Sequence, residues 1–230
     1  MTPSDRAPTD PGPPPPTERT RLRRKAERGR HDRATIDAIL DEGFVCHLGF
    51  AADGRPWVIP TAYGRAGDVV YVHGAAANHA LRSIAAGVEA CLTVTLLDGI
   101  VLARSAFHHS FNYRSVMIFG VAKTVDDLDE KRGAVTTIMD HVVPGRSRDA
   151  RGPTDTELRA TTVLALPVDE ASAKVRTGGP VEEPEDLSLA VWAGEIPLHL
   201  VADDAVPDDD CDPDLAVPGY ASAYGRPAAR

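Results

Sequence analysis

The chain has 230 residues, 43% hydrophobic and 26% charged, which suits one globular domain with tails and leaves no room for a second full domain. Its formal net charge of −9 argues against a nucleic-acid partner, because gripping a phosphate backbone depends on clustered Lys and Arg. Three widely spaced cysteines, Cys46, Cys91 and Cys211, form neither a disulfide framework nor a CxxC metal pair, and no apolar run of about 18 residues marks a membrane span or signal, so a cytoplasmic protein is expected.

In chain order, residues 1–25 are dense in Pro and polar groups and read as a disordered leader. The basic run from Arg19 to Arg33 reads as its solvated end rather than as a nucleic-acid arm. Asp32 then caps a helix whose Ile36, Ile39 and Leu40 share one face, with Gly43 as its stop. Phe44, Cys46, Leu48 and Phe50 alternate at strand period, residues 52–54 (ADG) turn, and residues 55–63 return as a second strand. A third strand, VVYVHG, leads into a short helix over residues 78–86.

VEACLTVTLL and GIVLARSAF read as two strands around an Asp98-Gly99 hairpin turn. SVMIFGVAKTV supplies another strand, a helix is expected over residues 128–142, and Thr154 and Glu157 have capping-box spacing. TTVLALPV, ASAKVRTG and LAVWAGEIPLHLV are rich in strand formers, and residues 203–230 read as a loose acidic, Pro-rich tail. Many hairpin-linked strands with few short helices favour a mainly β fold, a closed antiparallel barrel spanning residues 26–202.

Four clusters carry the polar chemistry. In residues 57–63, Pro60 gives up a ladder hydrogen bond, which suits either an edge strand or the approach of a flat ligand. In residues 71–83, a helix start with Asn78, His79 and Arg82 offers either an anion site or a self-capped surface helix. Residues 105–116 gather His108, His109, Ser110, Asn112, Tyr113 and Arg114, a set of donors, acceptors and a stacking face that favours a ligand site. Lys174 and Arg176 precede a flexible glycine pair, which suits either a phosphate or carboxylate site or an ordinary surface loop, and Trp192 reads as core. No triad order, HExxH motif, GxGxxG sequence or P-loop appears, so no metal site is expected and a bound organic cofactor fits the mixture better.

The succession IPT, YVHG with its helix, SAFHHSFNYRSVMIFG, KVRTGGP and WAGEIPL resembles the pyridoxamine 5'-phosphate oxidase-like split-barrel proteins, in particular the flavin-nucleotide-binding, nitroimidazole-resistance-type branch. The resemblance implies a Greek-key split barrel whose homodimer holds flavin mononucleotide (FMN) at its interface. Ile59, Pro60 and Thr61 would line the ring or ribityl with His73 and Gly74 nearby, Asn112, Tyr113 and Arg114 would complete the groove, and Lys174, Arg176 and Trp192 would approach from later strands. Where relatives commonly show a serine and a Ser-Arg pair, this chain has Ala75, Asn78 and His79.

The leading expectation is an FMN-dependent oxidoreductase acting on a small organic substrate, with His109 and Tyr113 as candidate proton donors. One alternative is a haem-binding split barrel with His79 or His109 as axial ligand. Another is a non-enzymatic flavin-binding or regulatory protein.

Overall fold

The computed structural model describes residues 13–225; the first half of the expected leader, and the last five residues of the tail, lie outside the described residues. The fold is a mostly antiparallel β structure with few helices, a split barrel whose sheet is not closed. Its strands are β1 (Gly29–Arg30), β2 (Val45–Ala52), β3 (Arg55–Ala66), β4 (Val69–Ala75), β5 (Glu89–Leu102), β6 (Ser110–Val121), β7 (Lys123–Thr124), β8 (Thr161–Pro167), β9 (Ala171–Arg176) and β10 (Gly194–Pro197). They order as β1-β9-β6-β5-β2-β3-β4-β8-β7, with β10 added to the far end of β5.

The expected closed barrel is therefore corrected. β3 belongs to both halves, pairing β2 over its first eight residues and β4 only over Tyr63 to Ala66. On the other side, β6 and β8 meet through side chains: a Cβ on Gly120 would lie 3.3 Å from Leu166 Cδ1. The interior is filled from both halves by Leu48, Leu92, Val94, Ile118, Leu164 and their neighbours, all nearly inaccessible.

The helices close the open margins. Helix α1 (Arg33–Glu42) is capped by Asp32, whose carboxylate accepts from Thr35 N at 2.8 Å, and buries Ile36, Ile39 and Leu40 as its periodicity requires. Gly43 ends it at φ −71, so the glycine is needed for space rather than for a left-handed turn: a Cβ there would lie 2.5 Å from Val94 and 2.8 Å from the Tyr63 hydroxyl. Helix α2 (His79–Ala85) follows β4, α3 (Leu128–Val142) lies across β3, and α4 (Asp155–Arg159) carries the Thr154–Glu157 capping box. A short helix, α5 (Gly219–Ser222), sits near the end.

The Asp98-Gly99 hairpin is overturned. β5 runs unbroken through both residues, with a bulge between Leu97 and Gly99, and the chain reverses later, through a 3-10 turn at Ala106–His108. The same dipeptide makes a tight hairpin at Asp53-Gly54, where both residues take positive φ, 51 and 70. At position 99 the glycine serves packing instead, because the carbonyl of Ile196 on β10 would lie 3.1 Å from a Cβ.

Part of the expected leader is docked. Arg19 pairs with Glu89 and Glu170 and lies 4.7 Å over the Phe119 ring, and Thr20 is buried.

Candidate functional site

The strand register sorts the site candidates onto two faces. On β6, Asn112, Arg114, Val116 and Ile118 point inward, while Tyr113, Ser115 and Met117 point outward. On β3, Ile59 and Thr61 lie on the inward side opposite Leu48 and Cys46, whereas Pro60 faces outward beside His47. Among the described residues β3 pairs only with β2 before Tyr63, so Pro60 lies on a stretch whose second edge is open, as suits a strand proline.

Asn112 and Arg176 form one buried unit. The Arg176 guanidinium donates to Asn112 Oδ1, to Gly178 O at 2.7 Å and to Gly179 O at 2.9 Å, and Asn112 Nδ2 donates to Glu195 on β10. Burial lowers the Arg176 pKa, but the charge persists because arginine starts so high. This unit fastens residues 177–195 across the end of the barrel.

Arg114 is spent on carboxylates rather than open to a cofactor. It makes paired hydrogen bonds to Asp98, at 2.7 and 2.9 Å, and to Glu42 at the end of α1. Those two acids raise its pKa further. A second clasp holds the loop after β5, where Glu182 accepts from the backbone N–H and the guanidinium of Arg104.

At the opposite end of the barrel, Trp57 stacks on Phe50 (6.4 Å, 9° between planes) and His79 lies 5.8 Å from the Trp57 ring. Trp57 is 43% exposed. The His79 ring makes no hydrogen bond among the described residues and is exposed, while Asn78 Oδ1 is taken up capping α2 through Leu81 N at 3.2 Å. Arg82, also exposed, sits one turn on. Gly74 is there for α2: a Cβ would lie 2.7 Å from Leu81.

The remaining candidates are dispersed. His73 is half-buried on the face of β4 that carries Tyr71, its Nδ1 has no partner among the described residues, and burial lowers its pKa. His109 is exposed, with Nδ1 3.0 Å from Ser105 O; donation from Nδ1 leaves Nε2 as the free acceptor. Tyr113 faces outward opposite Leu97, and Lys174 pairs with Gly29. Trp192 is 66% exposed, its ring folded over Gly194.

Sequence reasoning missed Glu42, Asp98 and Glu195, since nothing local to an acidic residue announces a partner 16 to 83 positions away. Trp57 stood inside a marked cluster, and only the β2–β3 pairing brings it over Phe50.

The profile of the pyridoxamine 5'-phosphate oxidase family matches residues 32–175. The flavocytochrome Anf3 from Azotobacter vinelandii is 37% identical, with 93% of this chain and 100% of that chain covered and a TM-score of 0.88. An FAD- and haem-binding protein from Mycobacterium smegmatis is 34% identical over 86% of this chain and 98% of its own, with a TM-score of 0.83. A protein from Bacteroides thetaiotaomicron described as a 5-nitroimidazole antibiotic resistance protein is 26% identical over 64% of this chain and 86% of its own, TM-score 0.55. No curated protein matches. With the family profile spanning most of the barrel and full-length relatives above 30% identity, the chain belongs to the pyridoxamine 5'-phosphate oxidase family of split-barrel proteins.

Proposed function

We propose that this chain is a cytoplasmic redox protein that binds a flavin nucleotide and a haem as a homodimer, exchanging electrons with a small organic substrate. The observation that carries it is the exposed Trp57–His79 pair, an unengaged imidazole beside an aromatic wall, in a chain whose full-length relatives include a flavocytochrome and an FAD- and haem-binding protein. His79 fits an axial ligand because neither ring nitrogen is committed, and Arg82 one turn on suits a propionate.

The flavin is better read as the dinucleotide than as FMN. A terminal phosphate dianion calls for a guanidinium fork, and both central arginines are occupied: Arg114 by Glu42 and Asp98, Arg176 by Asn112 and two carbonyls. When bound, the flavin supplies hydride or electron transfer and the haem supplies one-electron chemistry. The protein's own part is to orient the groups and exclude water, with Tyr113 on the outward face placed to hand over a proton.

A second ligand reading rests on His109, whose Nδ1 bond to Ser105 O fixes the tautomer that presents Nε2 to a metal. The dimer reading rests on the outward sheet face. Val45, Val58, Leu97, Phe111, Met117 and Ile196 share it by register and are 40–65% exposed, an apolar surface that a second copy would cover.

Purified protein should carry a flavin spectrum and a Soret band, with mass spectrometry separating FAD from FMN. His79→Ala should lose the Soret band and keep the flavin. Loss with His109→Ala instead would move the ligand, and a colourless protein that takes up neither group on titration would reject the reading.

A further inference from the structure

Residues 199–217 are exposed throughout, yet both ends of the segment are tied down. At the first end β10 pairs with β5 and Leu198 N donates to Asp98 O at 3.0 Å. At the second, Tyr220 accepts from Arg146 at 2.7 Å and Tyr224 donates to Val142 O at 2.7 Å, fixing α5 to the end of α3. Between these anchors Leu200, Val201, Val206 and Leu215 are 67–90% exposed. A fixed strap that presents so many apolar side chains to water lacks its contact surface.

The anchors locate the missing surface. β10 extends the outward apolar face beyond β5, and α3 lies on the same outward side of β3, where a Cβ on Gly64 would meet Ile138 backbone at 2.7 Å. The strap therefore borders the apolar face on its β10 and α3 side. The docked leader borders it on the other, with Arg19 over Phe119 of β6 and Gly29 paired to β9.

The two borders carry opposite charge. The strap holds Asp203, Asp204, Asp208, Asp209, Asp210, Asp212 and Asp214, none in an ion pair among the described residues, and Arg24 and Lys25 at the end of the leader, with Arg28 in the turn that joins it to β1, likewise find no carboxylate. A two-fold axis in the plane of the face and along the strands sets each border against the partner's opposite one. We propose that the strap of one protomer clasps the end of the partner's leader and the turn that follows it, aspartates against Arg24, Lys25 and Arg28, with the apolar strap residues sealing the rim of the interface. The proposal rests on the homodimer read above and adds to it where the rim lies and what holds it.

The exposed Cys211 lies within the strap and reports the contact directly. In Lys25→Cys protein, mild oxidation should give a disulfide-linked dimer on a non-reducing gel, abolished by adding Cys211→Ser. Neutralising Asp208, Asp209, Asp210 and Asp212 to Asn should raise the dimer dissociation constant roughly tenfold in sedimentation at about 0.15 M salt and remove most of the wild-type weakening at about 1 M salt. A linked species of monomer mass would put the strap on its own leader and overturn the proposal. So would a stable dimer that neither links nor responds to the Asn substitutions, while leaving the homodimer itself intact. A wild-type protein that is monomeric at micromolar concentration would defeat both.

Discussion

Arg114 and Asp98 are joined by two parallel hydrogen bonds, at 2.7 and 2.9 Å, and through the same guanidinium Asp98 is tied to Glu42 on α1. The bulge of β5, the middle of β6 and the end of α1 are thus pinned at one point. Truncating Arg114 leaves two carboxylates close together and half-buried, so Arg114→Ala should cost about 1 to 3 kcal/mol of stability, the solvent exposure of the cluster keeping it below the cost of a fully buried pair. Arg114→Lys should recover little, since an ammonium cannot serve both acids in the same plane. Denaturant unfolding of the three proteins measures this, and cofactor affinity should follow stability rather than fall on its own.

Arg176 is buried beneath the segment it fastens, with Asn112 and two glycine carbonyls as partners. Arg176→Met removes the charge and leaves those acceptors unsatisfied, an expected loss of about 2 to 4 kcal/mol. The damage should be local first: residues 177–197 should exchange amide hydrogens faster and admit protease, while α1 and β2 stay protected. Uniform loss of protection would instead mean that the clasp stabilises the whole barrel.

Burial lowers the pKa of His73 below its ordinary 6.5 and does the same to His31, opposed there by Asp32. The unfolded chain therefore takes up these protons first, so their contribution to stability is complete above pH 6.5 and is lost as pH falls from there toward the folded-state values. His73→Gln should narrow the fall in melting temperature between about pH 7.5 and about pH 5. An unchanged fall would assign the acid sensitivity to His31.

Burial pushes the Cys46 thiol up to about 12 and raises Cys91 to a lesser degree, while Cys211 lies in the open. A thiol reagent near neutral pH should modify Cys211 quickly and Cys46 only on unfolding. Rapid labelling of Cys46 in the native protein would show that the interior of β2 opens under native conditions.

Gly64 faces the α3 backbone, with Ile138 Cα 2.7 Å from where a Cβ would stand. Backbone cannot step aside as a side-chain tip can, so Gly64→Ala should destabilise by more than Gly87→Ala loses through its positive φ of 92 alone, where nothing lies within 4 Å. Thermal melts of the two variants give the comparison.

Elements whose cause lies within a few residues are legible in the amino-acid order. Asp32 and the Ile36–Ile39–Leu40 face define α1, the Thr154–Glu157 box starts α4, and the alternation from Cys46 to Phe50 defines β2. The motif order also identified the family. Local chemistry failed where a residue answers to a distant one. Asp98-Gly99 is a turn signal in isolation, but the long β6 partner carries β5 straight through, and β10 takes the space that Gly99 leaves. Arg114 and Arg176 look like free cations until tertiary folding brings Glu42, Asp98, Asn112 and the glycine carbonyls to them, because charge pairing depends on separation in space and carries no mark in the sequence.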